Sequence, residues 1–330
     1  MKAPKFWQKK SLISYFLLPI SALYQILYFL KATYQIIFYR NSRQNVKNIC
    51  ISNLTIGGAG KTPTALAIGK LLQKENLKFA YLSKGYGGTI KKLTKINKDH
   101  QATDVGDEPL LLKECSDSFI CNKITSHILQ DQQLSKNDFL IIDDGFQNFS
   151  WKKDFSILVI DGYYGFGNEF TFPSGPLRES IKLGIKRANL IIIVGEDKNN
   201  IEQRFCQNKK VIKGNIEIIN GDDFKDKNIL AFAGIARPKK FFKSLKDSGA
   251  NIRNRFSFDD HYQYTKSDLQ QLIKFAKERD LELVTTKKDW VRMSKIYQKK
   301  IKFLDIKMQL DTINISDIDQ DIKLPRLIKS

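Results

Sequence analysis

This 330-residue chain predicts an α/β architecture: a parallel sheet sandwiched by helices, a second and smaller α/β domain, and an apolar helix in front. Three observations lead there. Short apolar runs alternate with helical patterns along most of the chain, as a parallel sheet with helical crossovers requires. One run, Ile49-Cys50-Ile51-Ser52-Asn53-Leu54, passes through a glycine-rich turn into a helix. The pattern then restarts near Asn215, which divides the chain into 1–45, 46–214 and 215–330.

The turn reads Thr55-Ile56-Gly57-Gly58-Ala59-Gly60-Lys61-Thr62, and the helix after it carries Ala65, Leu66, Ile68, Leu71 and Leu72. Strand, glycine turn, Lys-Thr and helix is the order of a phosphate-binding loop, so the sheet is expected to be P-loop NTPase-like. Glycines let successive N–H groups converge on one anion, and the new helix adds its positive end. Residues 55 to 62 would form the loop, with Lys61 at the outer phosphates of a nucleoside triphosphate and the Thr62 hydroxyl on Mg²⁺. The pattern departs from G-x-x-x-x-G-K-[ST] at its first position, where Thr55 stands.

Bulk composition is ordinary for a folded protein: the hydrophobic fraction of 42% and the length allow two domains and a substantial core. The formal net charge of +20 favours anionic partners. A nucleic-acid partner is not expected, because no binding module or aromatic-basic interleaving is present. The four cysteines show no C-x-x-C spacing, which predicts a reducing compartment without disulfides or zinc.

Ahead of the loop, Ser11 to Leu30 carries no charge and is bracketed by Lys9-Lys10 and Lys31. As a helix it would be about 30 Å long, the thickness of a bilayer's hydrocarbon core. Ser11, Ser14, Ser21 and Gln25 share one helical stripe, and Pro19 is expected to kink the helix. A polar stripe, basic ends and many aromatics fit either an interfacial anchor or a tilted single span. An ATP-using domain places the attachment on the cytoplasmic face.

Beyond the loop, Phe79–Ser83 reads as a strand ending in the turn Lys84-Gly85-Tyr86-Gly87-Gly88, and residues 91 to 104 as a polar loop. Val105-Gly106-Asp107-Glu108-Pro109 precedes a helical run, where acids also serve as helix caps. Phe139-Leu140-Ile141-Ile142-Asp143-Asp144-Gly145-Phe146-Gln147 is a buried strand delivering carboxylates, the pattern of a second nucleotide motif with an Asp in the Mg²⁺ shell. Strands follow at 155–161 and 190–194. Between them Phe172-Pro173-Ser174-Gly175-Pro176-Leu177-Arg178-Glu179 is a shaped loop whose Arg178 could face a phosphate.

The last third gives strand, helix, strand, helix, strand, beginning with Ile229–Ala236. Of the three histidines, His100 falls in the polar loop and His127 in an expected helix. His261 follows Asp259-Asp260 in a short polar turn, where an acidic neighbour would orient it.

Together these motifs resemble one family, the tetraacyldisaccharide 4′-kinases, the lipid A 4′-kinases of Gram-negative bacteria. The resemblance rests on Asn53 to Pro63, Ser83 to Gly87, Gly106 to Pro109, Asp143 to Gln147, Pro173 to Glu179, Ala233 to Pro238, Asp260-His261 and Thr286 to Asp289. Thr55 in place of the first glycine is typical of that family; Lys84 where Arg is usual and Asn148 where His commonly stands are departures.

The resemblance implies γ-phosphoryl transfer from ATP to the 4′-hydroxyl of an anionic disaccharide lipid carrying a 1-phosphate, at the inner-membrane surface. It implies Asp107 as base with His261 assisting across a cleft between domains, and Arg178 as a stabiliser of the moving phosphoryl group. It also implies Thr62 and Asp143 on Mg²⁺, with Asp144 or Gln147 contributing. No protein partner is required by this reading. The rival reading is a membrane-bound P-loop switch or motor ATPase acting through a protein partner.

Overall fold

The computed structural model describes residues 4–39, 46–311 and 318. Two helices open the chain, α1 (Leu12–Phe16) and α2 (Leu18–Tyr39). The break between them falls where Pro19 enters the first turn of α2, a position that tolerates its missing N–H. The polar stripe faces the protein. Ser21 Oγ donates to the Thr171 carbonyl at 2.9 Å, Gln25 Nε2 to Thr171 Oγ1 at 2.9 Å, and Tyr24 Oη to the Arg178 carbonyl at 3.1 Å. Satisfying these groups against the shaped loop turns the apolar side outward, leaving Leu12 89%, Phe16 84% and Phe29 67% exposed. Among the described residues no helix is long and apolar enough to cross a membrane.

The larger sheet begins with β1 (Lys47–Ser52), followed by α3 (Lys61–Lys74), β2 (Phe79–Ser83), β3 (Thr94–Lys95), α4 (Ala102–Val105), α5 (Asp107–Lys113) and β4 (Ser118–Ile120). The polar stretch read as a loop therefore contains a short edge strand and a single helical turn. Asp107 opens α5 rather than preceding it, because Gly106 (φ 88°) makes the turn between the two helices. His127 lies at the start of a short 3₁₀ turn, Ile128–Gln130, and not in a helix.

Then come β5 (Phe139–Asp143), β6 (Phe155–Asp161), α6 (Ile181–Arg187), β7 (Leu190–Val194), α7 (Ile201–Phe205) and β8 (Lys210–Ile218). With a last strand, β13 (Ile306–Leu310), at one edge, the strand order is β13-β8-β7-β6-β1-β5-β2-β4-β3, parallel except at its two edges. Alternation along β1 builds two cores. Ile49 and Ile51 pack with Ala65, Ile68 and Leu72 of α3, while Cys50 faces Phe146 and Trp151 on the other side.

The smaller sheet holds β9 (Asn228–Ala233), α8 (Pro238–Asp247), β10 (Asn251–Ser257), α9 (Lys266–Glu278), β11 (Glu282–Thr286), α10 (Lys287–Trp290), α11 (Lys295–Gln298) and β12 (Lys302–Leu304). Its order is β10-β9-β11-β12, all parallel. Again one strand feeds two cores: Ala231 and Ala233 meet Phe241 and Leu245 of α8, and Leu230 and Phe232 meet Leu269 and Leu272 of α9. The final strand β13 (Ile306–Leu310) then returns to pair antiparallel with β8, Leu310 opposite Gly214. The point near residue 215 at which the sequence pattern restarts thus lies within a strand of the larger sheet.

Candidate active site

At the end of β1 the chain curls through Gly57 (φ 115°) and Gly60 (φ 94°), values that side-chain-bearing residues avoid. Asn53 braces this turn from within: its amide donates to the carbonyls of Thr55 at 2.8 Å and Gly57 at 3.2 Å. The shaped loop supports it from outside, since Ile56 N donates to the Pro176 carbonyl at 2.8 Å and Thr55 bridges Leu177. Lys61 Nζ donates to Asn53 Oδ1 at 3.3 Å and stands 3.9 Å from Asp144 Oδ1. From the smaller sheet, Ala236 closes over the glycines, 3.7 Å from where a Cβ on Gly58 would sit.

Parallel pairing sets Asp143 of β5 opposite Ile51 of β1, so the strand delivers its carboxylate beside the loop. Thr62 Oγ1 donates to Asp143 Oδ2 at 3.4 Å, while Asp143 Oδ1 is buried without a partner. Burial, with the Glu108 and Asp144 carboxylates nearby, pushes the Asp143 acid up to about 7. A hydroxyl and an unsatisfied carboxylate oxygen are hard donors that suit Mg²⁺, which is commonly held by one or two protein groups plus phosphate and water. Among the described residues no set of three His, Cys, Asp or Glu is arranged to hold a metal.

The neighbouring Asp144 is in a different state. It accepts from Ser52 Oγ at 3.0 Å and from Arg178 Nη1 at 2.6 Å. Burial alone would raise its acid, but Lys61 and Arg178 hold it well below the usual carboxylate range. Gln147 donates to the Asn53 carbonyl at 3.2 Å and to Glu179 at 3.0 Å, and its carbonyl receives Arg178 at 3.4 Å. Glu179 is in turn clamped by Arg187 at 2.6 and 2.8 Å. Arg178 and Gln147 are therefore parts of one network behind the loop.

Asp107 and His261 meet although 154 positions separate them: His261 Nδ1 is 3.1 Å from Asp107 Oδ2. The acidic neighbour foreseen for the imidazole, Asp260, is more distant, at 4.0 Å from Nε2. Asp107 is committed on both oxygens. Its Oδ1 accepts the Glu108 N–H at 2.8 Å, and its Oδ2 also takes Arg292, through Nε at 2.7 Å and through Nη2. Lys288 donates to Glu108 at 3.0 Å and lies 3.5 Å from His261 Nε2. Burial would raise the Asp107 acid; Lys288, His261 and Arg292 together force it far below the usual range.

Residues 13–323 match the family model described as tetraacyldisaccharide-1-P 4′-kinase. The chain belongs to this family. A tetraacyldisaccharide 4′-kinase of Rickettsia rickettsii is 38% identical over 309 residues, covering 93% of this chain and 94% of that protein. The one of Rickettsia akari is 37% identical over 93% of each. Among solved structures, the "apo" form of LpxK from Aquifex aeolicus in complex with ATP superposes with a TM-score of 0.74. It covers 94% of this chain and 99% of that one at 24% identity, a likeness that speaks for the fold.

For a tetraacyldisaccharide 4′-kinase family member, the motifs read from sequence contain most of the residues that meet here. Asn53, Glu108, Glu179 and Lys288 lie inside those motifs but carry no role there. Arg292 lies outside them, three residues past Asp289. The i,i+3 spacing of an Arg after a buried Asp was its one sequence signal, and a 2.8 Å ion pair realises it.

Proposed function

We propose that this chain transfers the γ-phosphoryl group of ATP to the 4′-hydroxyl of a tetraacyldisaccharide 1-phosphate at the cytoplasmic face of a Gram-negative inner membrane. The observation that carries the proposal is the pairing of Asp107 with His261 at the edge of a phosphate-binding loop. A switch or motor ATPase has no use for a proton-accepting pair set beside its phosphates.

The loop amides of residues 55 to 62 and Lys61 would hold the β- and γ-phosphates. Thr62 and Asp143 would hold Mg²⁺, with Asp144 and Gln147 behind them; the ion's charge offsets that of the phosphates. Arg178 would offset charge on the phosphoryl group in transfer. The Asp107–His261 pair, joined at 3.1 Å, would take the hydroxyl proton, with Asp107 as base and His261 assisting. The unit built on the larger sheet would act as the kinase domain and the smaller α/β domain would close over it, so that the pair is complete only when the two come together.

Membrane attachment would be by α1 and α2 lying in the interface, with the exposed apolar side in the acyl boundary and the basic surface toward anionic headgroups. The outward face is supported by the exposure of Leu12, Phe16 and Phe29, and the inward one by the bonds of Ser21, Tyr24 and Gln25.

The test is label transfer from γ-labelled ATP to the tetraacyldisaccharide 1-phosphate in mixed micelles. Labelled lipid is the expected product. ATP hydrolysis with unlabelled lipid would favour the switch ATPase instead.

A further inference from the structure

The smaller sheet meets the larger one on both flanks of the phosphate loop. On one flank α5 packs against β2 and β4, and its end of the contact is acidic. Glu108 is 3.0 Å from Lys288 there, and Glu114, just past the helix, is 2.7 Å from Lys287. On the other flank β6 lies beside β1 and ends in Asp161, a carboxylate to which the transfer chemistry gives no part.

The Asp161 side chain is 4% exposed, and both its oxygens are occupied. Oδ1 accepts the N–H groups of Tyr163 at 3.1 Å and Tyr164 at 3.3 Å, which fixes the carboxylate on its own turn. Oδ2 points to the smaller unit, where it takes Arg237 Nη1 and, at 2.5 Å, Lys240 Nζ. The Arg237 guanidinium also lies over the Tyr164 ring, 4.0 Å from its centre. Two cations at the start of α8 thus converge on one carboxylate of the larger sheet.

The neighbour of this contact gives it a use. Ala236, directly before Arg237, is the residue that covers the loop glycines, 3.7 Å from where a Cβ on Gly58 would sit. Pro238 fixes the first turn of α8 behind them, so the ion pair and the cover over the loop move together. A buried ion pair adds little net stability, because desolvation offsets the attraction, but it does fix a register. With its cations removed, the Asp161 charge is relieved only by water, which reaches it when the smaller sheet lifts away.

We propose that Asp161, Arg237 and Lys240 form a clamp that seats the smaller sheet on the nucleotide-loaded phosphate loop, on the flank opposite Asp107. They are positioning residues for the transfer. This rests on the kinase reading above, of which it names the closing contact. The seated form is the one that grips nucleotide, so a looser clamp appears as a weaker apparent affinity.

The experiment measures the dissociation constant of a non-hydrolysable ATP analogue with Mg²⁺ by calorimetry on the full chain. Wild type is compared with Arg237→Gln/Lys240→Gln, with Asp161→Asn, and with the three changes combined. The double variant should bind the analogue roughly tenfold or more weakly, as truncation of one side of a buried charge pair does at interfaces. Adding Asp161→Asn should restore most of that loss, because no buried charge is then left unpaired. Lys243→Gln removes a charge from the exposed side of α8 and should change nothing. In label transfer, the double variant should raise KM for ATP more than it lowers kcat at saturating ATP.

Unchanged affinity in the double variant would overturn the clamp. So would a loss that Asp161→Asn does not relieve; if Asp161→Asn alone then binds more tightly, Arg237 is a nucleotide ligand instead. Should the double variant not fold, hydrogen exchange of wild type decides. The analogue must slow the Tyr163 and Tyr164 amides, and exchange that ignores it would contradict the assignment. Wild type that binds the analogue yet labels no lipid ends the kinase reading and leaves the clamp standing, whereas failure to bind the analogue overturns both.

Discussion

Thr62 Oγ1 stands 3.4 Å from Asp143 Oδ2, and the second oxygen of that carboxylate is buried with no partner. A carboxylate in this position destabilises the protein until a cation reaches it. The folded-state acid is raised to about 7, so the folded protein binds more protons than the unfolded chain between the ordinary carboxylate range and neutrality. Stability accordingly falls as pH rises through that window, and the cost is fully present above it. Asp143→Asn should therefore raise the Tm of the metal-free protein at pH near ~8, by roughly 2–4 °C for each kcal/mol relieved, while abolishing transfer. Mg²⁺ with a non-hydrolysable ATP analogue should stabilise wild type more at that pH than under mildly acidic conditions. Differential scanning fluorimetry reads both, and a lower Tm for Asp143→Asn would count against the site.

Arg178 is the bridge between Asp144 and Gln147, and its guanidinium is better placed than an ammonium to serve both. Removing it leaves a buried carboxylate short of a partner and, on the proposed reading, would leave the phosphoryl group short of a cation. Arg178→Ala is expected to reduce kcat by about 10²–10³-fold, the range seen on deleting a transition-state donor. Arg178→Lys should recover only part of it. Steady-state kinetics at saturating ATP measures this, and an unchanged kcat would return Arg178 to a structural role.

The exposed side of α1 and α2 makes a separate prediction. Leu12→Ser, Phe16→Ser and Phe29→Ser in one protein should cut binding to anionic vesicles by roughly tenfold or more, since on the proposed attachment each would remove acyl contact at the interface. The Tm in solution should hardly move, because these side chains touch little of the protein. A sedimentation assay reads the first and calorimetry the second; a large drop in Tm would show that this face packs inward.

Packing under the phosphate loop can be probed at Gly69 in α3. A Cβ there would lie 2.0 Å from Tyr81 Oη, whose hydroxyl donates to the Ala65 carbonyl. Gly69→Ala should cost about 1–3 kcal/mol by overpacking, and Tyr81→Phe in the same chain should recover part of it. Urea denaturation measures both.

Much of this was legible in the sequence because each motif sits where a strand ends. Ile49 to Thr62 declares a strand, a glycine turn and a helix through residue types that serve no other order so well, and Phe139 to Asp144 does the same for the neighbouring strand. The N-terminal stripe of Ser14, Ser21 and Gln25 was visible too, although only the fold shows that it turns toward the protein and leaves the apolar side outside.

Long-range partners were not legible. Arg292 pairs with Asp107 across 185 positions, and no local spacing encodes that meeting. Nor does the pattern reveal that β13 returns to the larger sheet, because an edge strand of five residues with mixed polarity resembles an exposed turn. Asp107 illustrates the same limit. Its motif marks it as functional, yet whether it faces solvent or is locked against an arginine depends on an element that arrives much later in the chain.

The measurement that tests the central claim most directly is phosphate transfer from γ-labelled ATP to the tetraacyldisaccharide 1-phosphate, with wild type and Asp107→Ala side by side. Wild type should label the lipid at the 4′ position. Asp107→Ala should lose turnover by roughly 10²–10⁴-fold with little change in ATP affinity, as removal of a proton-accepting pair requires. Undiminished labelling by the variant, or loss of ATP binding in parallel with turnover, would contradict the account.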